Sequence, residues 1–178
     1  MNDLSKIAES LRPLAVPIAS LTPDPRNARR HPERNLDSIR TSLSLYGQRK
    51  PLVVRREGMV VEAGNGTLEA AKALGWTHVA AVLVDDDPAT ATGYGIADNR
   101  TAELAEWDEE ALACLLAELQ VAEVDLCDLG WGEEELSKLM DAVPAFEPTT
   151  AEEQHDIDKL SQKLCPHCGK DLREPPAR

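Results

Sequence analysis

The feature that most constrains this chain is a corner at residues 59–75, Met-Val-Val-Glu-Ala-Gly-Asn-Gly-Thr-Leu-Glu-Ala-Ala-Lys-Ala-Leu-Gly. A short apolar strand runs into Gly64-Asn65-Gly66-Thr67, and an alanine-rich helix begins at once. A strand–turn–helix junction gathers unpaired backbone N–H groups and the positive end of a helix dipole at one point, which suits an anion such as phosphate. Glycines let the backbone approach closely, while Asn65 and Thr67 offer side-chain caps or ligand contacts. Lone glycine-rich corners also occur as plain structural turns, so the corner needs company before it means a site.

The flanking pattern predicts an α/β chain. Val16-Pro17-Ile18 reads as an edge strand, where proline is tolerated, and the Pro- and Arg-rich stretch 21–32 reads as loop. Leu36, Ile39 and Leu43 carry helical spacing over about 33–45, closed by Gly47. Residues 51–55 and 58–62 form two strands turning through Glu57-Gly58. A further strand spans 78–84, and helices follow over roughly 88–105, 108–120 and 132–142, two of them opening on acids that the dipole favours. Only 3% of residues are aromatic, so the core must be aliphatic. Trp76, Trp107 and Trp131 read as packing anchors at element ends, and Cys114 as a small buried hydrophobe.

Charge is divided unevenly. Residues 1–57 hold eleven Lys/Arg against six acids, whereas 58–178 hold eight against 26. That split suggests a local basic face on an acidic body and argues against non-specific binding along DNA. No run approaches the ~18 apolar residues of a membrane span, and the first residues lack a secretory hydrophobic region. The expectation is a cytoplasmic protein with reduced cysteines and no membrane partner.

Several boxes in fixed order resemble the N-terminal domain of the ParB/sulfiredoxin superfamily. They are 16–18 with Leu21-Thr22-Pro23, Asn27-Ala28-Arg29, 38–43, Gly47-Gln48-Arg49-Lys50-Pro51, the signature box at 61–71, and Ile96-Ala97-Asp98-Asn99-Arg100 with 102–108. The wording at 96–108 is most similar to a phage and mobile-element branch often found beside DNA methyltransferases. The resemblance covers about 16–120. It implies an α/β (α+β) fold, a small mixed sheet with surrounding helices, and a nucleotide or phosphate site at the signature box. In chromosome-partition members that box is Gly-Glu-Arg-Arg and binds cytidine triphosphate; in sulfiredoxins it holds a reactive cysteine. Here Gly64-Asn65-Gly66-Thr67 has no cysteine, which excludes sulfiredoxin chemistry, and Thr67 stands where relatives carry arginine. Losing that arginine weakens a triphosphate site.

Asp98-Asn99 resembles the acid–asparagine pair that holds a divalent metal against phosphates in partition proteins, and its hard oxygens suit magnesium. Arg100 is a candidate replacement for the missing arginine, or else the ion-pair partner of Glu103 or Asp98. Arg49 and Lys50, in the turn before Pro51, are further candidates for phosphate or DNA. His31 reads as a surface-loop histidine. The acidic stretch after 108 carries no basic recognition helix. The organisation expected is a lead-in (1–15), a ParB-like domain (16–107), an acidic helical extension (108–143), a linker (144–156) and a tail (157–178). In the tail, Cys165-Pro166-His167-Cys168-Gly169 is half of a zinc ribbon. Cys165, Cys168 and His167 are its candidate ligands, and a second chain completing the site would make a zinc-bridged homodimer.

The functional expectation is a nucleotide- or phosphate-binding accessory in phage or mobile-element DNA metabolism, partnered by nucleotide and by DNA or a DNA-modifying enzyme. Three alternatives stay open. The same site could serve a metal-dependent nuclease or phosphotransferase, with Glu62, Glu69, Asp98 and Glu103 as available acids. The chain could instead be a protein-binding scaffold with a degenerate site, or an acidic DNA mimic.

Overall fold

A computed structural model describes residues 4–141 of the 178-residue chain. Five strands, β1 (Ala15–Pro17), β2 (Thr22–Pro23), β3 (Leu52–Arg55), β4 (Val60–Ala63) and β5 (His78–Val84), form a mixed sheet in the order β1-β5-β3-β4-β2. The β1/β5 and β3/β4 pairs are antiparallel; β3/β5 and β2/β4 are parallel. β1 is an edge strand, as its proline requires. β2 differs from expectation, because residues 22–23 lie in the stretch read as loop. A two-residue ladder on an edge is too short to leave a periodic trace in sequence.

The helices are α1 (Glu33–Tyr46), α2 (Asn65–Ala73), α3 (Pro88–Glu103), α4 (Glu109–Val121) and α5 (Glu133–Asp141), each within a few residues of its expected span. α1 forms because Leu36 and Leu43 fall on one face and bury, with Ile39 beside them. α2 carries the chain from β4 past β3 to β5, and it packs on α1. The core is aliphatic throughout: Leu52, Val54, Val61, Leu68, Val79 and their neighbours have almost no exposure. Trp76 packs against its margin, and Trp107 stacks obliquely on Trp131 at 6.1 Å between ring centroids. Cys114 is exposed rather than buried, because α4 turns it away from the buried row of Leu112, Ala113 and Leu116.

Two details of the early chain position the site. Residues 9–14 form a 3-10 turn, and Ile7 before it is buried and bridges to Gln48. Gln48 is itself buried. Its Oε1 accepts from the Ala80 N–H at 2.6 Å, and its Nε2 donates to the Ala80 carbonyl at 2.9 Å and the Lys50 carbonyl at 3.1 Å. One side chain thereby pins the turn at 47–50 to β5. Among the described residues, no helix is long and apolar enough to cross a membrane.

Candidate functional site

The corner at 64–67 is built as its residue types require. Gly64 precedes α2 with φ +96°, and a Cβ there would lie 2.4 Å from Leu52 Cδ2, so position 64 favours glycine twice over. The Leu68 N–H is the first to bond inside α2, to the Gly64 carbonyl at 3.0 Å, which leaves the N–H groups of residues 65–67 without an intrahelical acceptor. No side chain caps this end. The His31 ring lies across Gly66, where a Cβ would sit 2.7 Å from it, and its Nδ1–H donates to Asn35 Oδ1 at 2.7 Å.

Asn65 lines the cavity at this corner, and its amide is already engaged within the protein. Its Oδ1 accepts from the Asp24 N–H at 3.1 Å and its Nδ2 donates to the Val61 carbonyl at 3.0 Å. The side chain ties the 24–31 loop to the end of β4 and leaves the backbone of the corner open.

A cavity of about 150 Å³ sits at this helix end. Its walls bring together residues 64–67 from the corner, Asp98 and Asn99 from α3, and Asn27 and Arg29 from the loop. Boxes more than thirty residues apart thus share one space. Asn99 Nδ2 donates to the Gly95 carbonyl at 2.7 Å, which leaves its Oδ1 for another partner. Thr67 and Ile39 also border a larger groove of about 530 Å³ that Arg49 and Lys50 line, so the 47–50 turn and the corner are adjoining parts of one surface. Arg49 lies over the Tyr46 ring at 5.3 Å.

Arg100 lines a neighbouring cavity of about 280 Å³ and pairs with Glu103 at 3.2 Å. Glu103 also pairs with Arg29. Arg29 borders both cavities, whereas Arg100 borders only the second. The guanidinium beside the corner therefore comes from the early loop. Asn27 and Arg29 carried weight in the sequence as a resemblance box only; their proximity to 64–67 is tertiary.

Glu62 is the residue that sequence patterning placed least well. Strict alternation from buried Val61 turns it outward, yet it is 6% exposed. Val54 pairs with Val61 and Val53 with Ala63, so Glu62 is the extra residue of a β-bulge, and α3 packs over β4 beside it. It lines the wall between the two cavities, and neither carboxylate oxygen has a hydrogen-bond partner among the described residues. Burial pushes its pKa up, the nearby Asp86 carboxylate adds to the rise, and Arg55 partly offsets it. The pKa of Tyr94 on α3 is also raised, by burial first and then by the charges of Asp98 and Glu62.

No three His, Cys, Asp or Glu side chains among the described residues converge into a preformed metal centre. Glu62, Asp98 and Asn99 line the same cavity, and their oxygens are of the hard type that magnesium takes when phosphates complete its shell. Cys165, His167 and Cys168 lie outside the described residues.

No family model and no curated protein matches the chain. Solved structures do. The C-terminally truncated chromosome-partitioning protein ParB from Caulobacter crescentus, complexed with CTP-gamma-S, superposes with a TM-score of 0.62 at 22% identity, over 74% of this chain and 79% of that one. The chain has a ParB/sulfiredoxin-like fold. The same ParB complexed to the centromeric parS site matches with a TM-score of 0.42 at 21% identity, over 74% and 73% of the two chains. Sulfiredoxin from Arabidopsis thaliana matches at 0.39 and 15%, over 46% of this chain and 93% of that one. Within this ParB/sulfiredoxin-like fold, the corner after β4 and the 98–99 pair of α3 face each other across the small cavity.

Proposed function

We propose that this chain binds a nucleotide or a related phosphate-bearing ligand at the corner of residues 64–67, as a ParB-like accessory of phage or mobile-element DNA metabolism acting with DNA or a DNA-modifying enzyme. The observation that carries the reading is the meeting of three separated segments at one helix N-terminus. Free N–H groups of residues 65–67 cradle the phosphate, the Arg29 guanidinium, paired with Glu103, stands beside the corner where Thr67 brings no charge, and Asp98 and Asn99 supply oxygens for magnesium. The 530 Å³ groove lined by Arg49 and Lys50, which Thr67 joins to the cavity, has room for the remainder of a nucleotide. The CTP-gamma-S complex of the ParB with the same fold supports the ligand class.

Titration of ATP, ADP, CTP and GTP, with and without magnesium, followed by amide shifts, tests this. Shifts centred on residues 64–67 and weakened in Arg29→Ala are expected. Wild-type protein with no perturbation at 64–67 by any nucleotide would refute it and leave the scaffold reading in place.

A further inference from the structure

Glu62 sits in a bulge, is 6% exposed, and has two oxygens without a hydrogen-bond partner among the described residues. Such a group demands a reason, because an uncompensated buried carboxylate opposes folding. Arg55 acts on it and offsets the burial only in part. Arg29 is engaged with Glu103, Arg56 with Asp85, and Arg55 donates its Nε–H to the Glu57 carbonyl at 3.3 Å. The remaining charged neighbours are acids, Asp24 and Asp86, with Asp98 across the cavity. The carboxylate also borders a cavity whose helix N-terminus suits a phosphate. Anion beside anion is repulsive unless something positive stands between them.

A hard divalent cation reconciles the two. We infer that Glu62 is the protein carboxylate that holds a divalent metal against the phosphates of the bound ligand, opposite Asp98 and Asn99, and that the metal enters only together with that ligand. The inference rests on the phosphate-binding reading above and singles out one of the four acids the sequence offers, beyond the acid–asparagine pair. Two carboxylates and one amide oxygen are too few to retain the ion alone, in keeping with the absence of a preformed centre among the described residues. Magnesium-type ions commonly use one or two carboxylates and complete their shell with waters and substrate phosphates. Glu62 is the extra residue of the β4 bulge, and α3 covers it where it lines the cavity wall.

The test uses the full chain with manganese(II) as a paramagnetic probe and ATP, CTP and inorganic pyrophosphate as phosphate carriers. Manganese alone should leave the amide spectrum nearly unchanged. Manganese with a carrier should broaden the amides of residues 62–67 and 95–99 first, and should tighten carrier binding by about tenfold or more, a typical coupling between two sites. Glu62→Gln keeps the shape of the side chain and removes its charge. It should abolish the manganese-dependent tightening while leaving metal-free carrier binding equal or stronger. Equal weakening with and without manganese, or tightening that survives in Glu62→Gln, overturns the inference and leaves phosphate binding standing. If Glu62→Gln does not fold, wild-type broadening centred away from residues 62 and 98 overturns it equally. Wild-type protein that binds no carrier under either condition overturns both the inference and the phosphate reading beneath it.

Discussion

Removing the Asn65 side chain should cost stability before it costs ligand binding. The amide makes two part-buried bonds, one from the Asp24 N–H and one to the Val61 carbonyl, at 3.1 and 3.0 Å. Each contributes about 1 kcal/mol net, and Asn65→Ala also leaves a donor and an acceptor half-buried without partners, so the total is about 2–4 kcal/mol. For a domain of this size that corresponds to a fall in Tm of roughly 5–15 °C. Asn65→Asp should sit between. It keeps an acceptor for the Asp24 N–H and gains from the helix dipole, but sets a carboxylate oxygen against the Val61 carbonyl. Thermal unfolding of the full chain by circular dichroism, with the three proteins in parallel, gives the order wild type, Asn65→Asp, Asn65→Ala. An Asn65→Ala protein within about 0.5 kcal/mol of wild type would show that the brace is worth nothing. If that same protein also lost nucleotide affinity, Asn65 would be a direct ligand contact after all.

Other perturbations test the parts around it. Gln48→Leu removes the buried link between the 47–50 turn and β5, and should cost about 3–5 kcal/mol in denaturant unfolding, since three bonds go and the Ala80 N–H and carbonyl are stranded. Gly64→Ala forces a Cβ against Leu52 in left-handed backbone, so about 2–4 kcal/mol should be lost, and the amide spectrum of 62–68 should change even where the protein still folds. Asp87 caps α3: its carboxylate accepts from the Thr90 hydroxyl and from the N–H groups of Thr90 and Ala89, and these bonds hold its pKa below the usual value. The folded state thus binds fewer protons than the unfolded one. The cap's contribution is complete above about pH 4 and is lost as pH falls through the lowered pKa, so the stability gap between wild type and Asp87→Ala should close in acid.

How far the sequence could be read follows from the range of each interaction. Helices α1 to α5 and strands β3, β4 and β5 were legible because their signals are local: apolar spacing, a glycine stop after Tyr46, acids opening α4 and α5. The aliphatic core followed from a composition with almost no aromatic residues. The corner at 64–67 was legible for the same reason, because four adjacent residue types set its backbone. What Asn65, Arg29 and Glu62 do was not. Asn65 spends its amide on Asp24, forty-one positions away. Arg29 reaches the cavity from the loop that this bond joins to the corner. Glu62 sits in a bulge of β4 under α3, and both a register shift and a covering helix belong to pairs of elements rather than to one segment. The chain by itself determined its helices, its longer strands, their order and the position of the helix end after β4. Only the folded structure decided which side chains face that end, because pairing and packing join residues that no local pattern relates.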